Sequence, residues 1–296
     1  MDGIQCPCME SKEEQTNNMW DALEVAEGKA REPMLRQLAL ATDTVKLCYE
    51  LGVDVGAFVA EVEKQNQETV LSGLLLRRVL TDLRTIWLLC VNGYTGQAGV
   101  LCASLYENAL TIEAVADSHK RAKQVLSSPG GGQPWSVKTL AEIAAKRLTQ
   151  DPRRSEKAKS VEEERDFIYF SYRWLCKLKH PTIPSLLYEA GATQTGVRRF
   201  AVSAMPDVAQ RDVCNKGMIL ASAVNRTWYA MRAMTDACTR AEAGAEEAVS
   251  LEARLSGLGK HLEESLEEYT KGTPPFILDP KTHDVVAYGD RLAKEP

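Results

Sequence analysis

Two apolar stretches separated by a short Asn92-Gly93 step decide the fold of this chain. The first is ETVLSGLLLRRVLTDLRTIWLLC, residues 68–90, and the second is TGQAGVLCASLYENALTIEAVADSH, residues 95–119. Each stretch predicts a long helix, and an Asn-Gly pair is a common signal for a helix end. Because the connection is so short, the two helices are expected to pack as antiparallel neighbours. Small residues such as Gly99 would let a further helix approach closely.

The other helices are predicted from caps, breakers and apolar periodicity. Pro33 suits the first turn of a helix, and the Leu51-Gly52 step suits its end. No segment alternates convincingly as a strand does, and no repeat of fixed period is present. The sequence therefore predicts an all-α fold, a multi-helix bundle of long antiparallel helices with an irregular loop after His180. The expected helices are 17–31, 33–51, 54–64, 68–90, 95–119, 136–148, 155–179, 207–239 and 246–270, with a short extended piece at 197–202.

The chain divides into four parts on composition. Residues 1–16 are polar and acidic and are expected to be disordered, residues 17–240 form the helical domain, and residues 241–270 form a C-terminal helix. Residues 271–296 are a Pro-rich tail. The C-terminal helix carries a one-sided row of apolar residues that could pack against a partner helix. These residues are Leu251, Leu255, Leu258, Leu262, Leu266 and Tyr269.

The composition indicates which kinds of partner and which cellular compartment are expected. The 296 residues carry a net charge of −5, which is unlike a protein that coats DNA. The most apolar stretch, 71–91, contains four charged residues, so no membrane span is expected. The eight cysteines lie mostly in apolar helical runs, and no secretory signal opens the chain. A cytoplasmic location without disulfides follows, and Cys6 and Cys8 are interpreted as part of a frayed terminus rather than a metal site.

The stretch SYRWLCKLKHPTIP, residues 171–184, contains the best candidate for chemistry. Pro181 disfavours helical geometry at the preceding residue, so a helix should end at His180. The negative end of the helix dipole favours the protonated imidazole there. Arg173, Lys177 and Lys179 add positive charge, and together these groups suit a phosphate and an acid–base reaction.

Arg173 and His180 are seven residues apart and therefore share one helix face, about 10 Å apart along the axis. Because helical side chains lean toward the N-terminus, Arg173 leans away from His180. A homodimer that crosses two copies of the helix would bring one chain's arginine to the other's histidine. The alternative is structural, with His180 capping carbonyl groups and Arg173 paired with a glutamate.

Glu107 is a second candidate, because it lies within an apolar helix and a buried carboxylate needs a partner. Arg77, Arg78, Arg84 or Arg173 could supply that partner, in a structural pair or in a site that orients Arg173 or His180. Glu113, six residues further on, is expected to be solvated. The aromatic run Tyr169, Phe170, Tyr172 and Trp174 could stack bases but is more typical of a core. His119, His261 and His283 are scattered without metal-ligand spacing, so neither a metal nor another cofactor is expected.

Two stretches carry a family resemblance. VNGYTGQAGVLCASLYENALTIEAVADS, with Glu107, and YRWLCKLKHPTIP, with Tyr172 and His180, resemble DUF5677, an uncharacterised bacterial helical family. In that family a helix with a glutamate precedes a helix that ends in a histidine–proline or histidine–serine step. The resemblance covers residues 60–240.

A looser similarity is to the HEPN helical ribonucleases, whose motif is an arginine, four to six residues and a histidine. Arg173 and His180 match that spacing, although Trp174 stands where the family usually has a polar residue. The similarity implies a metal-independent endoribonuclease that acts on RNA in phage defence or a toxin system, and the crossing of two helices described above would make its active unit a homodimer. Its site would use Arg173, His180 and Glu107 in catalysis and Lys177, Lys179 and Tyr172 in substrate binding. The alternative function is a non-catalytic helical module that binds a protein or a ligand.

Overall fold

The fold of the described residues is all-α, as the sequence predicts. The computed structural model describes residues 11–61, 66–153, 160–180, 194–196, 199–200, 205–208, 212–240, 245–270, 276–278 and 285–287. Nine α-helices lie within this part of the chain. They are α1 (Ser11–Gln37), α2 (Ala39–Ala60), α3 (Gln67–Val91), α4 (Thr95–Val115), α5 (His119–Leu126), α6 (Val137–Thr149), α7 (Val161–Lys179), α8 (Val213–Arg240) and α9 (Ala245–Thr270).

Helix α4 is the centre of the bundle. It packs against α3, α6, α7 and α8, so apolar residues all around it are buried. Leu105 and Leu110, for example, are fully buried, and each such leucine stabilises the fold by about 1.5–3 kcal/mol. The α3–α4 turn passes through Gly93, whose φ of 90° is a left-handed conformation that favours glycine. The antiparallel α3–α4 pair predicted from residues 68–119 is therefore the structural core.

The C-terminal helix packs within the chain's own bundle. Helix α9 lies against α8 and α2, and the indole Nε1 of Trp228 on α8 donates a hydrogen bond to the Leu255 carbonyl at 2.7 Å. The apolar row identified in the sequence faces this core. Leu251, Leu255, Leu258, Leu262 and Tyr269 are each at most 5% exposed. The row is thus occupied by intramolecular packing rather than presented to a partner helix.

Two helix ends predicted from local signals are wrong. Helix α1 continues through Pro33 to Gln37, because Ala30, Met34 and Leu38 form a fully buried row that spans the proline. Packing of that row outweighs the cost of about 3 kcal/mol for proline inside a helix. Gly52 lies inside α2 because a Cβ at this position would lie 2.5 Å from Leu80, so the glycine allows α2 to approach α3.

Capping serines set two other boundaries. Helix α4 ends at Val115, and Ser118 caps a separate helix, α5, by accepting a hydrogen bond from the Arg121 N–H. Helix α7 begins at Val161 rather than at residue 155, because Ser160 and Glu163 form a reciprocal capping box. Helix α8 begins at Val213 rather than at 207, and Asp207, which precedes the helix, forms an ion pair with Lys216 inside it.

Small antiparallel hairpins lie outside the bundle. β1 (Gln194–Gly196) pairs with β2 (Arg199–Phe200), and β2 falls within the extended piece expected at 197–202. β3 (Phe276–Leu278) pairs with β4 (Val285–Ala287) in the segment expected to be a Pro-rich tail, and β4 lies beside α7. The loop expected directly after His180, together with Cys6, Cys8 and His283, lies outside the described residues. Helix α1 begins at Ser11, within the segment expected to be disordered.

The described helices contain no apolar stretch of the length that a bilayer crossing needs. Cysteines in the apolar runs behave as expected, since Cys48, Cys90, Cys102 and Cys238 are buried thiols.

Gly99 and Gly73 offer a matched test of the α4–α7 packing. A Cβ at Gly99 would lie 2.5 Å from Leu178 Cδ1 and 3.1 Å from Leu178 Cβ, whereas one at Gly73 on α3 meets nothing within 4 Å. We expect Gly99→Ala to lower the free energy of unfolding by about 1–3 kcal/mol. We expect Gly73→Ala to raise it by about 0.5–1 kcal/mol, the usual helix gain. Urea denaturation measures both, and a stabilised Gly99→Ala would contradict the close approach.

Candidate functional site

A hydrogen bond between α4 and α7 forms the centre of the candidate site. The Tyr172 hydroxyl donates to Glu107 Oε1 at 2.7 Å, between two half-buried side chains that are 65 residues apart in sequence. The Tyr172 ring also stacks on Tyr169, with ring centroids 6.3 Å apart. Tyr106 supports the same helix pair by donating to the Ile168 carbonyl at 3.3 Å. The two helices therefore hold Glu107 and Tyr172 in a fixed relation.

Tyr172 stays protonated at neutral pH. Burial, followed by hydrogen bonding with Cys176 and Glu107, raises the pKa of the Tyr172 hydroxyl well above its usual range. Burial also raises the pKa of the Cys176 thiol. The Glu107 carboxylate thus faces a Tyr172 hydroxyl that remains a hydrogen-bond donor at neutral pH.

The basic residues of the site come directly after Tyr172, along α7 and at its C-terminal end. Arg173 and Lys177 are half-buried, and Lys179 and His180 are exposed. His180 is the C-cap residue, with extended backbone angles of φ −94° and ψ 152°, and its N–H donates to the Cys176 carbonyl at 3.1 Å. The helix ends at His180, as the following proline predicts. His180 is therefore an exposed residue at the C-terminal end of α7.

The structure brings some of the candidate residues together in a way the sequence did not indicate. Glu107 and Tyr172 are in direct contact, and among the described residues the Glu107 carboxylate is bonded to this tyrosine rather than to Arg77, Arg78 or Arg84. A half-buried carboxylate needs a donor but not a charge, because it keeps partial hydration. The Tyr172 hydroxyl is consequently engaged by Glu107. Trp174 is buried in the core, in keeping with the structural interpretation of the aromatic run.

Glu113 is buried, and the expectation that it is solvated is wrong. It is 2% exposed and forms an ion pair of 2.9 Å with Arg226 on α8, which is 1% exposed. The Arg226 guanidinium also lies 4.6 Å from the Tyr229 ring centroid and 5.6 Å from that of Tyr106. Burial raises the pKa of the Glu113 carboxyl, although Arg226 opposes this shift. Leu105, Ala109 and Glu113 repeat at intervals of four residues, a pattern that could have shown Glu113 to be buried.

A cavity of about 890 Å³ opens beside Glu113, between the C-terminal end of α4 and helices α5, α6, α8 and α9. Its wall contains a network of arginines and carboxylates. Arg147 contacts Asp236 at 2.7 Å and Asp117 at 3.1 Å. Arg153 contacts Asp151 at 2.8 Å, Glu252 at 3.0 Å and Asp236 at 3.1 Å, and Arg232 contacts Asp151 at 3.1 Å. Sequence reasoning missed this network because its members come from separate elements.

The pKa of Asp151 reflects its contacts with the arginines of this network. Desolvation acts to raise the pKa of the Asp151 carboxyl, but hydrogen bonds from Arg153 and the charge of Arg232 outweigh it and hold the pKa below its usual value. These contacts join α8 and α9 to the segment that follows α6.

Comparison with known proteins adds no family assignment. No protein-family model, curated protein or solved structure matches this chain. Within the described residues, no group of three histidine, cysteine, aspartate or glutamate side chains is arranged to hold a metal ion.

Proposed function

We propose that Glu107, Tyr172 and the C-terminal end of α7 form the site of a metal-independent endoribonuclease of the HEPN type. One observation supports this more than any other. The 2.7 Å bond from Tyr172 to Glu107 fixes a carboxylate against α7 at the residue directly before Arg173. On the same helix, an exposed His180 stands at the C-terminal end beside Lys179. A function in phage defence or in a toxin system is part of this proposal.

The proposed reaction is transesterification within the RNA chain. His180 removes the proton from a ribose 2′-hydroxyl, and the 2′-oxygen forms a bond to phosphorus. The bond from phosphorus to the 5′-oxygen breaks, and that oxygen takes up the proton that His180 carries. The products are a 2′,3′-cyclic phosphate and a 5′-hydroxyl. Arg173 stabilises the negative charge that develops on the phosphorane.

The other residues position the substrate or the catalytic groups. Lys177 and Lys179 bind the neighbouring backbone phosphates through their positive charges. Glu107 acts as a positioning residue, since Tyr172 holds it in place and its carboxylate can orient a cation. The Tyr172 ring, which is half-buried, offers an edge to a base.

A variant series tests the catalytic assignment. Cleavage of a fluorescently labelled single-stranded RNA is measured in EDTA, and the product ends are analysed. We expect His180→Ala to lose about 10²–10⁴-fold in rate and Arg173→Ala about 10²–10³-fold. His261→Ala is the matched control, because His261 is also an exposed helical histidine, and it should cleave at the wild-type rate. Equal rates for wild type and His180→Ala would remove the assignment.

Mixing two inactive variants tests the homodimer. Suppose that Arg173 of one protomer acts with His180 of the other. A heterodimer of one His180→Ala protomer and one Arg173→Ala protomer then contains one site with both groups and one site with neither. An equal mixture that exchanges subunits freely should recover about a quarter of wild-type activity. Light scattering checks whether the 32.7 kDa chain dimerises. A dimeric mixture without recovered activity would show that each site belongs to one protomer.

The alternative is a non-catalytic helical module that binds a protein or a ligand. In that case wild type and His180→Ala would both leave the RNA intact. The apolar row on α9 is buried within the chain, so a partner helix would need another surface. The observation that favours a ligand is the cavity beside Glu113.

A further inference from the structure

The cavity beside Glu113 has the size and lining of a small-molecule site. Its volume of about 890 Å³ lies within the range of about 300–1,000 Å³ that ligand pockets occupy. The wall combines apolar side chains, such as Ile143, Leu148 and Tyr229, with charged groups from five elements. None of its residues belongs to the Glu107–His180 site.

Most cations of the cavity wall already have carboxylate partners. Arg147, Arg153 and Arg232 belong to the ion-pair network, and Lys146 contacts Glu142 at 2.7 Å. Arg121 differs from all of them. Its Nη1 donates to the Ala114 carbonyl at 3.2 Å, but it has no carboxylate partner among the described residues.

The guanidinium of Arg121 therefore keeps donors available at the cavity. A planar guanidinium matches the two oxygens of a carboxylate or a phosphate group. Because the other four cations of the wall are each paired with a carboxylate, an anion entering the cavity is directed to Arg121.

Glu113 provides a second polar group at the same cavity. Its side chain is 1% exposed and lines the wall. The ion pair with Arg226 is close at 2.9 Å, yet neither Glu113 oxygen is aligned for a hydrogen bond with a donor among the described residues. Buried carboxylate oxygens normally have such a donor. A hydroxyl or amino group from a ligand would complete this arrangement.

We propose that the cavity binds a small organic anion, with its phosphate or carboxylate group on Arg121 and a hydroxyl or amino group donating to Glu113. Ala114 follows Glu113 in sequence, and its carbonyl accepts from Arg121, so both recognition groups line the cavity near the C-terminal end of α4. The proposal names a ligand class for the cavity and goes beyond the proposed ribonuclease function. It is independent of the ribonuclease, because the two sites share no residue.

Calorimetry with inorganic phosphate, glycerol phosphate and malonate tests the proposal on the full chain. The titrations are done at constant ionic strength, with chloride as the reference. We expect glycerol phosphate or malonate to bind wild type, and Arg121→Gln to weaken that binding by about tenfold or more. Arg77→Gln on α3 is the matched control, since Arg77 is exposed and does not line the cavity, and the affinity of this variant should equal that of wild type.

Comparing the affinities of glycerol phosphate and inorganic phosphate separates the contribution of Glu113 from that of Arg121. The hydroxyls of glycerol phosphate should give it tighter binding to wild type, and Glu113→Gln should reduce this advantage. Malonate binding without phosphate binding would identify the ligand as a carboxylate. Equal binding by wild type and Arg121→Gln would overturn the anion site but leave the general ligand-binding function open. Absence of binding by all three anions would overturn this inference, while RNA cleavage would be unaffected.

Discussion

Arg226→Met is expected to lower the free energy of unfolding by about 3–5 kcal/mol at neutral pH. The substitution keeps much of the side-chain volume but leaves the Glu113 carboxylate without its counter-charge at a position that is 2% exposed. It also removes the guanidinium that lies over the Tyr106 and Tyr229 rings. Urea denaturation followed by circular dichroism measures the change. Arg77→Met is the control, because this arginine is exposed, and it should stay within about 0.5 kcal/mol of wild type.

The loss in Arg226→Met should depend on pH in a defined direction. Burial raises the pKa of Glu113 above its value in the unfolded chain, and removing Arg226 raises it further. Such a group contributes stability that is fully present below the unfolded pKa and is lost as the pH rises through the folded pKa. The destabilisation should therefore be smaller at about pH 5 than at pH 7.

The double variant Arg226→Met/Glu113→Leu separates the charge from the packing. With both charges removed, the site becomes apolar, and most of the lost stability should return, since buried pairs are often replaceable by apolar residues. A double variant as unstable as Arg226→Met would show that packing or the ring contacts, rather than the uncompensated carboxylate, cause the loss.

Helix positions were predictable where local signals and tertiary packing agree. The sequence predicts helices at 68–90 and 246–270, and the structure has them at Gln67–Val91 and Ala245–Thr270. The prediction failed at Pro33 and Gly52, where a proline or a glycine suggests a boundary. At both positions the helix continues because buried contacts between elements outweigh the local preference.

The candidate site was predictable only in part, for a related reason. An apolar helix containing Glu107 indicates that its carboxylate needs a partner, but the partner lies 65 residues away on α7. Periodicity identifies which face of a helix is buried and does not identify the helix that covers it. Glu113 was missed although the same argument applies to it. The cavity wall could not be predicted, because its charged residues come from five separate elements.

Lys216→Met is expected to have an effect of similar size, about 3–5 kcal/mol, by leaving Asp207 uncompensated. The Lys216 Nζ lies 2.9 Å from Asp207 Oδ2, and the two side chains are 0% and 1% exposed. Asp207 also joins the start of α8 to the α3–α4 turn, since its N–H donates to the Gly93 carbonyl at 3.0 Å. Loss of Lys216 should therefore weaken the attachment of α8 to the helix pair that forms the core. Chemical denaturation at pH 7 gives the magnitude.

Asp207→Asn in the Lys216→Met background identifies the cause of that loss. Asparagine keeps an acceptor for the Asp212 N–H, which contacts Asp207 Oδ2 at 3.3 Å, but it carries no charge. The double variant should recover much of the stability, whereas Asp207→Asn alone should be destabilised because Lys216 is then the buried, unpaired charge. If the double variant were no more stable than Lys216→Met, the uncompensated charge of Asp207 would not be the cause. The contacts of the lysine's own methylene groups would then hold α8 in place.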